Sequence, residues 1–425
     1  MQLEKEIELE SVTKIEGHTG LKVKISGNKV EKVELRVSEN KRFFEEAVIG
    51  KNFNEIPFLV SRICGTCSSS HLLASIKAIE NAFDLKPSSQ TLALRTLLMN
   101  ATMLRDHGMH LYYFVLPDLF EKESILEFNG KLEKWVRDSM DVRNAGVQLA
   151  EAVGGRSIHP LTPLVGGFSK VPEKEKLKEC IKSMKRIRLQ VIDLIDLFYN
   201  HKINFERKTD YVCLTGEPYN FLEGEIINSR GICIPEDQML KYVEEFVIPY
   251  SSANQFEFDD KAYMVGALSR LNLNKYHLHN ETKNDVMRAV EKFPSNSCFD
   301  NNLAQAVEML HCIDYSIELI ELNDFVKEEV PAIEPIESEG IGVVEAPRGT
   351  LYHEYHFNEE GKATHCNIII PTAQNAKNIE SDIKAFIEPK LSLSKEILAL
   401  ECEKVIRAYD PCMSCATHFL KVEWL

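Results

Sequence analysis

Two short cysteine motifs near opposite ends of the chain, Cys64-Gly65-Thr66-Cys67 and Cys412-Met413-Ser414-Cys415, constrain its folding more than any other feature. A C-x-x-C turn presents two sulfurs on one side of a loop or helix start, so two such turns can surround one metal ion with four thiolates. The pairs lie 348 residues apart. A shared site therefore requires both ends of the chain to pack on one core. Each pair is followed closely by a histidine, His71 and His418. Taken alone, the pairs fit a structural zinc site, the commonest use of such motifs, although zinc ribbons usually close over a short segment. A thioredoxin-like redox reading needs only one pair.

The remaining composition narrows the class. With 425 residues the chain can bury a large core without crosslinks. A net charge of -15 and the lack of any basic block exclude a nucleic-acid surface. No apolar run reaches the roughly 20 residues that cross a bilayer, and the first residues lack the pattern of a signal peptide. A cytoplasmic protein is expected, tied to a membrane only through partners. The seven cysteines outside the two pairs are scattered (180, 213, 233, 298, 312, 366 and 402). They read as core thiols of a reducing compartment.

Hydrophobic periodicity predicts a mainly α protein with small β parts (α+β). Residues 3 to 37 alternate like strands, with Ser26-Gly27-Asn28-Lys29 as a hairpin turn. Leu72, Ile76, Ile79 and Phe83 step at helical spacing up to Pro87, which places the first cysteine pair at the entrance of a buried helix. Further helices are expected over 89–115, 121–152 (closed by Gly154-Gly155), 173–200 and 280–328, forming a long-helix bundle. Residues 205–260 read as mixed. The segment from Val330 to Gly340 reads as a linker, followed by short strands around 341–371 and a last helix near 392–406. This gives one domain over 1–425, with a β region at 1–40, a helical part at 57–328 and a carboxy-terminal part at 341–425.

The two cysteine blocks, Arg62 to His71 and Asp410 to His418, resemble the two ends of the large, metal-bearing subunit of nickel-iron hydrogenases. Other blocks follow in that family's order. They are Thr13-Lys14-Ile15-Glu16-Gly17-His18, Arg105-Asp106-His107-x-x-His110 with Pro117-Asp118, Gly154-Gly155-Arg156-x-x-His159-Pro160, Val265 to Asn272, Ala346-Pro347-Arg348-Gly349, and Asn367 to Asn375.

The resemblance implies a nickel ion bound by Cys64, Cys67, Cys412 and Cys415, with Cys67 and Cys415 bridging to an iron that carries carbon monoxide and cyanide. Soft thiolates suit such metals. It implies that dihydrogen is split into protons and electrons, with Cys412 or Arg348 taking a proton and Glu16 relaying it. Asp106, Asp410, Pro347 and Arg348 would lie over the metal's open face, with Arg348 held by carboxylates. Pro371 and Thr372 would surround the iron's diatomic ligands, with Thr372 as a hydroxyl donor to a cyanide, and His71 would donate toward a bridging sulfur. Glu45, the backbone near Ile368 and His418 would hold a separate magnesium or iron ion. Read in isolation, Glu16 is a hairpin carboxylate, Asp106 a solvated helix charge, His71 a satisfied helix histidine and Pro371-Thr372 a strand-ending turn.

No third short-spaced cysteine motif exists, so an iron-sulfur small subunit must carry the electrons away, with further electron-transfer subunits beyond it. Lys14 replaces the arginine usual in the amino-terminal block, which keeps the charge but loses a bidentate contact. Phe419 to Leu425 read as either a short tail removed by a maturation protease or a permanent terminus. Three competing readings stand beside the catalytic one: a dihydrogen-sensing regulator using the same site, a metal-free relative within a quinone oxidoreductase, and a four-thiolate zinc scaffold.

Overall fold

A computed structural model describes residues 4–40, 42–201 and 203–417. His418 and the tail from Phe419 to Leu425 lie outside the described residues. The amino-terminal strands Glu4–Leu9, Thr19–Ser26 and Lys29–Val37 form an antiparallel sheet in sequence order. The expected hairpin is present, with Ser26 opposite Lys29. Leu21, Val23, Ile25, Leu35 and Val37 alternate onto its buried face, as period-2 patterning requires.

The first cysteine pair precedes the helix Ser68–Ala82, whose residues are nearly all buried. It is covered on one side by long helices. Ser89–Met109 continues through a π-helical stretch, His110–Val115, and is joined by Glu133–Gly154, Lys174–Asn200 and Asp300–Leu322. Gly146 allows Glu133–Gly154 to cross Ser89–Met109 closely, since a Cβ there would stand 3.0 Å from the Arg105 nitrogen. Ion pairs cross-link the helices, among them the buried pair Arg95–Glu80 and the half-buried pair Arg188–Asp314.

On its other side, Ser68–Ala82 carries the carboxy-terminal sheet of Ser338–Ala346, Gly349–Phe357 and Ala363–Ile369, antiparallel in that order. The contact is backbone against backbone. A Cβ on Gly342 would lie 2.3 Å from Ala74 O and from Ala78 N, and one on Gly340 would meet Ala78 and Ala82 as closely. Two glycines at alternate strand positions thus let the sheet lie directly on the helix.

The structure corrects several helix boundaries. Residues 121–132 hold only short 3₁₀ turns, so that helix starts at Glu133. The expected helix over 280–328 is two short helices, Asn280–Asp285 and Met287–Val290, followed by Asp300–Leu322. Pro294 lies in the gap, where it cannot donate to a helical ladder. The 17-residue helix Pro371–Ile387 is additional to the sequence reading. Pro371 occupies its first turn, a favoured helix-start position because proline's missing N–H has no intrahelical partner there anyway. The last helix, Lys395–Ala408, falls where expected, capped by Ser394. The segment read as a linker places Pro331 against Gly166 and ends inside the strand Ser338–Ala346. Among the described residues, no helix is long and apolar enough to cross a membrane.

The glycine contact gives a direct test. Gly342→Ala should destabilise the protein by about 1–3 kcal/mol through overpacking, read as a lower midpoint in chemical denaturation.

Candidate metal centre

The first cysteine pair lies between the 3₁₀ turn Ser61–Ile63 and the helix Ser68–Ala82. The second follows the helix Lys395–Ala408 through Asp410, which takes a left-handed conformation (φ 51°) and so turns the chain sharply inward. The four sulfurs meet: Cys64 to Cys412 is 3.4 Å, Cys67 to Cys415 is 3.3 Å and Cys412 to Cys415 is 2.9 Å. All four Sγ atoms lie within 4.8 Å of one another and are buried. The hydrogen bond with Cys412 pulls the Cys64 thiol down, whereas burial pushes Cys412 and Cys415 up. Four sulfurs at this spacing cannot all be ionised without a cation among them. The donor set therefore fits a thiophilic metal.

Three braces hold the two cysteine segments in register. Glu16 forms a parallel bridge with Cys412, and its backbone oxygen accepts the Met413 N–H at 3.0 Å. Glu16 Oε2 lies 3.0 Å from Cys412 Sγ and accepts the Ser414 N–H at 3.1 Å. Arg42 donates to Ile63 O at 2.6 Å and also to Ser414 O, touching both segments at once. Arg105 donates to Thr66 O inside the first pair and to Ser157 O. Sequence reading assigned no role to Arg42 or Arg105. Arg105 stands within a quoted block, but nothing in the pattern marks Arg42.

Above the sulfurs, Arg348 occupies the two-residue tip between Ser338–Ala346 and Gly349–Phe357, where Ala346 faces Gly349. Its guanidinium donates to Asp106 Oδ2 at 2.8 Å, Asp410 Oδ1 at 3.0 Å and Asp410 O at 2.6 Å. All three residues are buried. Burial disfavours the Arg348 cation, but Asp106 and Asp410 overcome this and hold it protonated. Burial likewise raises Asp106, and Arg348 opposes the rise. Gln305 donates to Asp410 Oδ2 at 3.0 Å, and its own oxygen lies 2.6 Å from His110 Nδ1. Arg270 fixes the tip from behind through the Ala346 and Pro347 carbonyls and is itself neutralised by Glu308 and Glu345.

A small cavity opens between these groups, lined by Cys67, His71, Ala346, Arg348, Leu351, Pro371, Thr372, Cys412 and Cys415. Thr372 Oγ1 accepts the Cys412 N–H at 3.0 Å. His71 Nδ1 lies 3.1 Å from His353 Nε2, and His353 Nδ1 lies 2.6 Å from the Tyr355 hydroxyl. His353 went unnoticed in the sequence because a strand histidine carries no distinguishing pattern. Lys14 Nζ bonds Asp118 at 2.7 Å, and the other Asp118 oxygen takes Arg407 at 2.6 Å. Glu45 is placed elsewhere: its Oε1 accepts the Ile368 N–H at 2.9 Å, and burial pushes its carboxyl up to about 8.

Comparison with known proteins fixes the class. The family described as "Nickel-dependent hydrogenase" matches residues 42–137 and 239–418. "Sulfhydrogenase 1 subunit alpha" of Pyrococcus furiosus is 30% identical, covering 98% of this chain and 98% of that one. "NAD-reducing hydrogenase HoxS subunit beta" of Cupriavidus necator is 28% identical, covering 98% and 96%. Among solved structures, a NAD+-reducing [NiFe]-hydrogenase in the H2-reduced state superposes with a TM-score of 0.89 at 24% identity, covering 98% of this chain and all of that one. The [NiFeSe] hydrogenase of D. vulgaris Hildenborough gives 0.79 at 21%, with the same coverage. The chain belongs to the nickel-dependent hydrogenase family. It is the large, catalytic subunit of an oxidoreductase acting on dihydrogen, and the four-cysteine cluster is its candidate nickel site.

The Thr372 contact is open to test. Thr372→Val leaves the buried Cys412 N–H without its acceptor and should cost about 1–3 kcal/mol. Thr372→Ser should restore most of that loss in the same denaturation measurement.

Proposed function

We propose that Cys64 and Cys412 are the terminal nickel ligands and that Cys67 and Cys415 also bridge to an iron carrying carbon monoxide and cyanide. The supporting observation is a quartet of buried sulfurs within 4.8 Å, with a carboxylate oxygen 3.0 Å from one of them. When bound, the nickel-iron group would supply the centre at which dihydrogen is split, with two protons and two electrons released overall. The residues then divide the remaining work.

Cys412 Sγ receives a proton and passes it to Glu16 Oε2 across a contact already at hydrogen-bond distance. Arg348 is fixed as a cation between two carboxylates, so it orients donors over the cavity and leaves the thiolate as the first proton acceptor. Asp106 and Asp410 hold it there, and Pro347 carries the backbone of the tip. Thr372 accepts a backbone N–H and keeps its own O–H, which would donate to a diatomic ligand, and Pro371 lines the same cavity. His71 tunes a bridging sulfur from the cavity wall.

Glu45, the Ile368 backbone and His418 are assigned to a separate magnesium or iron ion. The 2.9 Å bond from the Ile368 N–H to Glu45 Oε1 supports this, because it holds the carboxylate beside that backbone. A small iron-sulfur subunit partners the chain, in keeping with relatives named as subunits of larger enzymes. Further electron-transfer subunits and a maturation protease complete the proposed set. The whole chain acts as one unit in this reading, in the cytoplasm.

Two substitutions separate metal binding from proton transfer. Cys412→Ser should abolish dihydrogen oxidation and nickel loading, measured by elemental analysis of the matured complex. Glu16→Gln should keep nickel and the infrared bands of the diatomic ligands while slowing deuterium–water exchange by about 10²-fold or more. Exchange at the parental rate in Glu16→Gln would rule out the relay.

A further inference from the structure

The outward face of the carboxy-terminal sheet gathers a second group of metal-ligating side chains, unconnected to the nickel site. We propose that Glu354, His356 and His365 bind a divalent late transition metal such as Zn²⁺ or Ni²⁺. The topology brings them together. Glu354 and His356 are two apart on one strand and so share a face. His365 is directly opposite His356 on one neighbouring strand, and Glu339 is opposite it on the other. The register shifts just after the His356–His365 pair, and Thr364 Oγ1 bonds His356 O at 3.3 Å. Such a bulge bends the strand and re-aims side chains beside it.

The spacing supports shared ligation over ordinary surface ion pairing. One donor atom each from Glu354, His356 and His365 falls within 4.8 Å of the others. The two histidines approach opposite oxygens of one carboxylate, His356 Nε2 at 3.5 Å from Glu354 Oε1 and His365 Nε2 at 3.7 Å from Oε2. His356 Nε2 is 3.6 Å from Glu339 Oε2. A direct charge-assisted hydrogen bond would be about 2.7–2.9 Å. Two ligands bound at about 2.0–2.1 Å to one tetrahedral ion stand about 3.3–3.4 Å apart. The observed separations lie near the second value. Asn367 steadies the carboxylate through a 3.1 Å bond to Glu354 Oε2.

Exposure of 40% for His356 and 48% for His365 leaves the site open to an ion from solution. By contrast, in the group His279, Glu281 and Asp314 the aspartate is consumed by Arg188 and Thr282, and His279 bonds Glu318 at 2.6 Å. Two imidazoles with a carboxylate favour Zn²⁺, Ni²⁺ or Cu²⁺ over Mg²⁺ and Ca²⁺. An ion here would tie two adjacent strands of a sheet whose inner face holds His353 against His71.

The matured complex, washed with chelator and then titrated with Zn²⁺ by calorimetry and elemental analysis, tests the site independently of catalysis. The parent should take up one equivalent more than His356→Ala or His365→Ala, with affinity at least tenfold weaker in each variant. Zn²⁺ should raise the parent's Tm and not theirs. His277→Ala, which removes a half-exposed histidine elsewhere, should bind like the parent. Equal uptake by parent and the two site variants, or no exchangeable zinc in the parent, would overturn the proposal.

Discussion

The structure depends on bringing sulfur from both ends of the chain to one point. No helix or sheet accomplishes that alone. The first pair is fixed by the buried helix Ser68–Ala82 and Arg105, the second by the inward turn at Asp410 and Glu16, and Arg42 ties the two together. Each brace binds the backbone of a cysteine segment, so the cysteines inherit the rigidity of the core beneath them. This is the preorganisation a metal site requires, with first ligands held by supporting bonds and not by the metal alone.

Around that point the protein buries arginines between pairs of carboxylates. Arg348 lies between Asp106 and Asp410, Arg270 between Glu308 and Glu345, and Arg407 between Asp118 and Glu403. Buried ion pairs add little net stability, because desolvation offsets their attraction. Their contribution here is geometric. Arg270 grips the carbonyls immediately before Arg348, so one network positions the next and the guanidinium is aimed by the core. Lys14 keeps the charge at its position but meets Asp118 through a single contact, without a guanidinium's bidentate fork.

The sequence revealed the strongest periodicities and the cysteine pairs most clearly. The hairpin at Gly27-Asn28, the buried helix after Cys67 and the long helices ending at Met109, Gly154 and Asn200 all follow from spacing that tertiary contacts reinforce. What stayed hidden depended on contacts distant in sequence. Pro371 looked like a stop signal after a strand, yet proline serves equally at a helix's first turn, and only the packing of Pro371–Ile387 decides between them. Glu16, Asp106 and Asp410 became notable only through their place in ordered blocks. The structure then supplied the distances that join them to Cys412 and Arg348. Arg42 and His353 carried no signal, since their partners lie on segments that no local pattern connects.

The separation of the cysteine pairs also bears on the unfolded chain. A crosslink that joins residues 348 apart removes far more conformational freedom from a disordered polymer than one closing a short finger. Loop-closure entropy for that length amounts to about 5–6 kcal/mol. A bound metal would thus act as a belt around nearly the whole polypeptide, making cofactor retention and global cooperativity two aspects of one equilibrium.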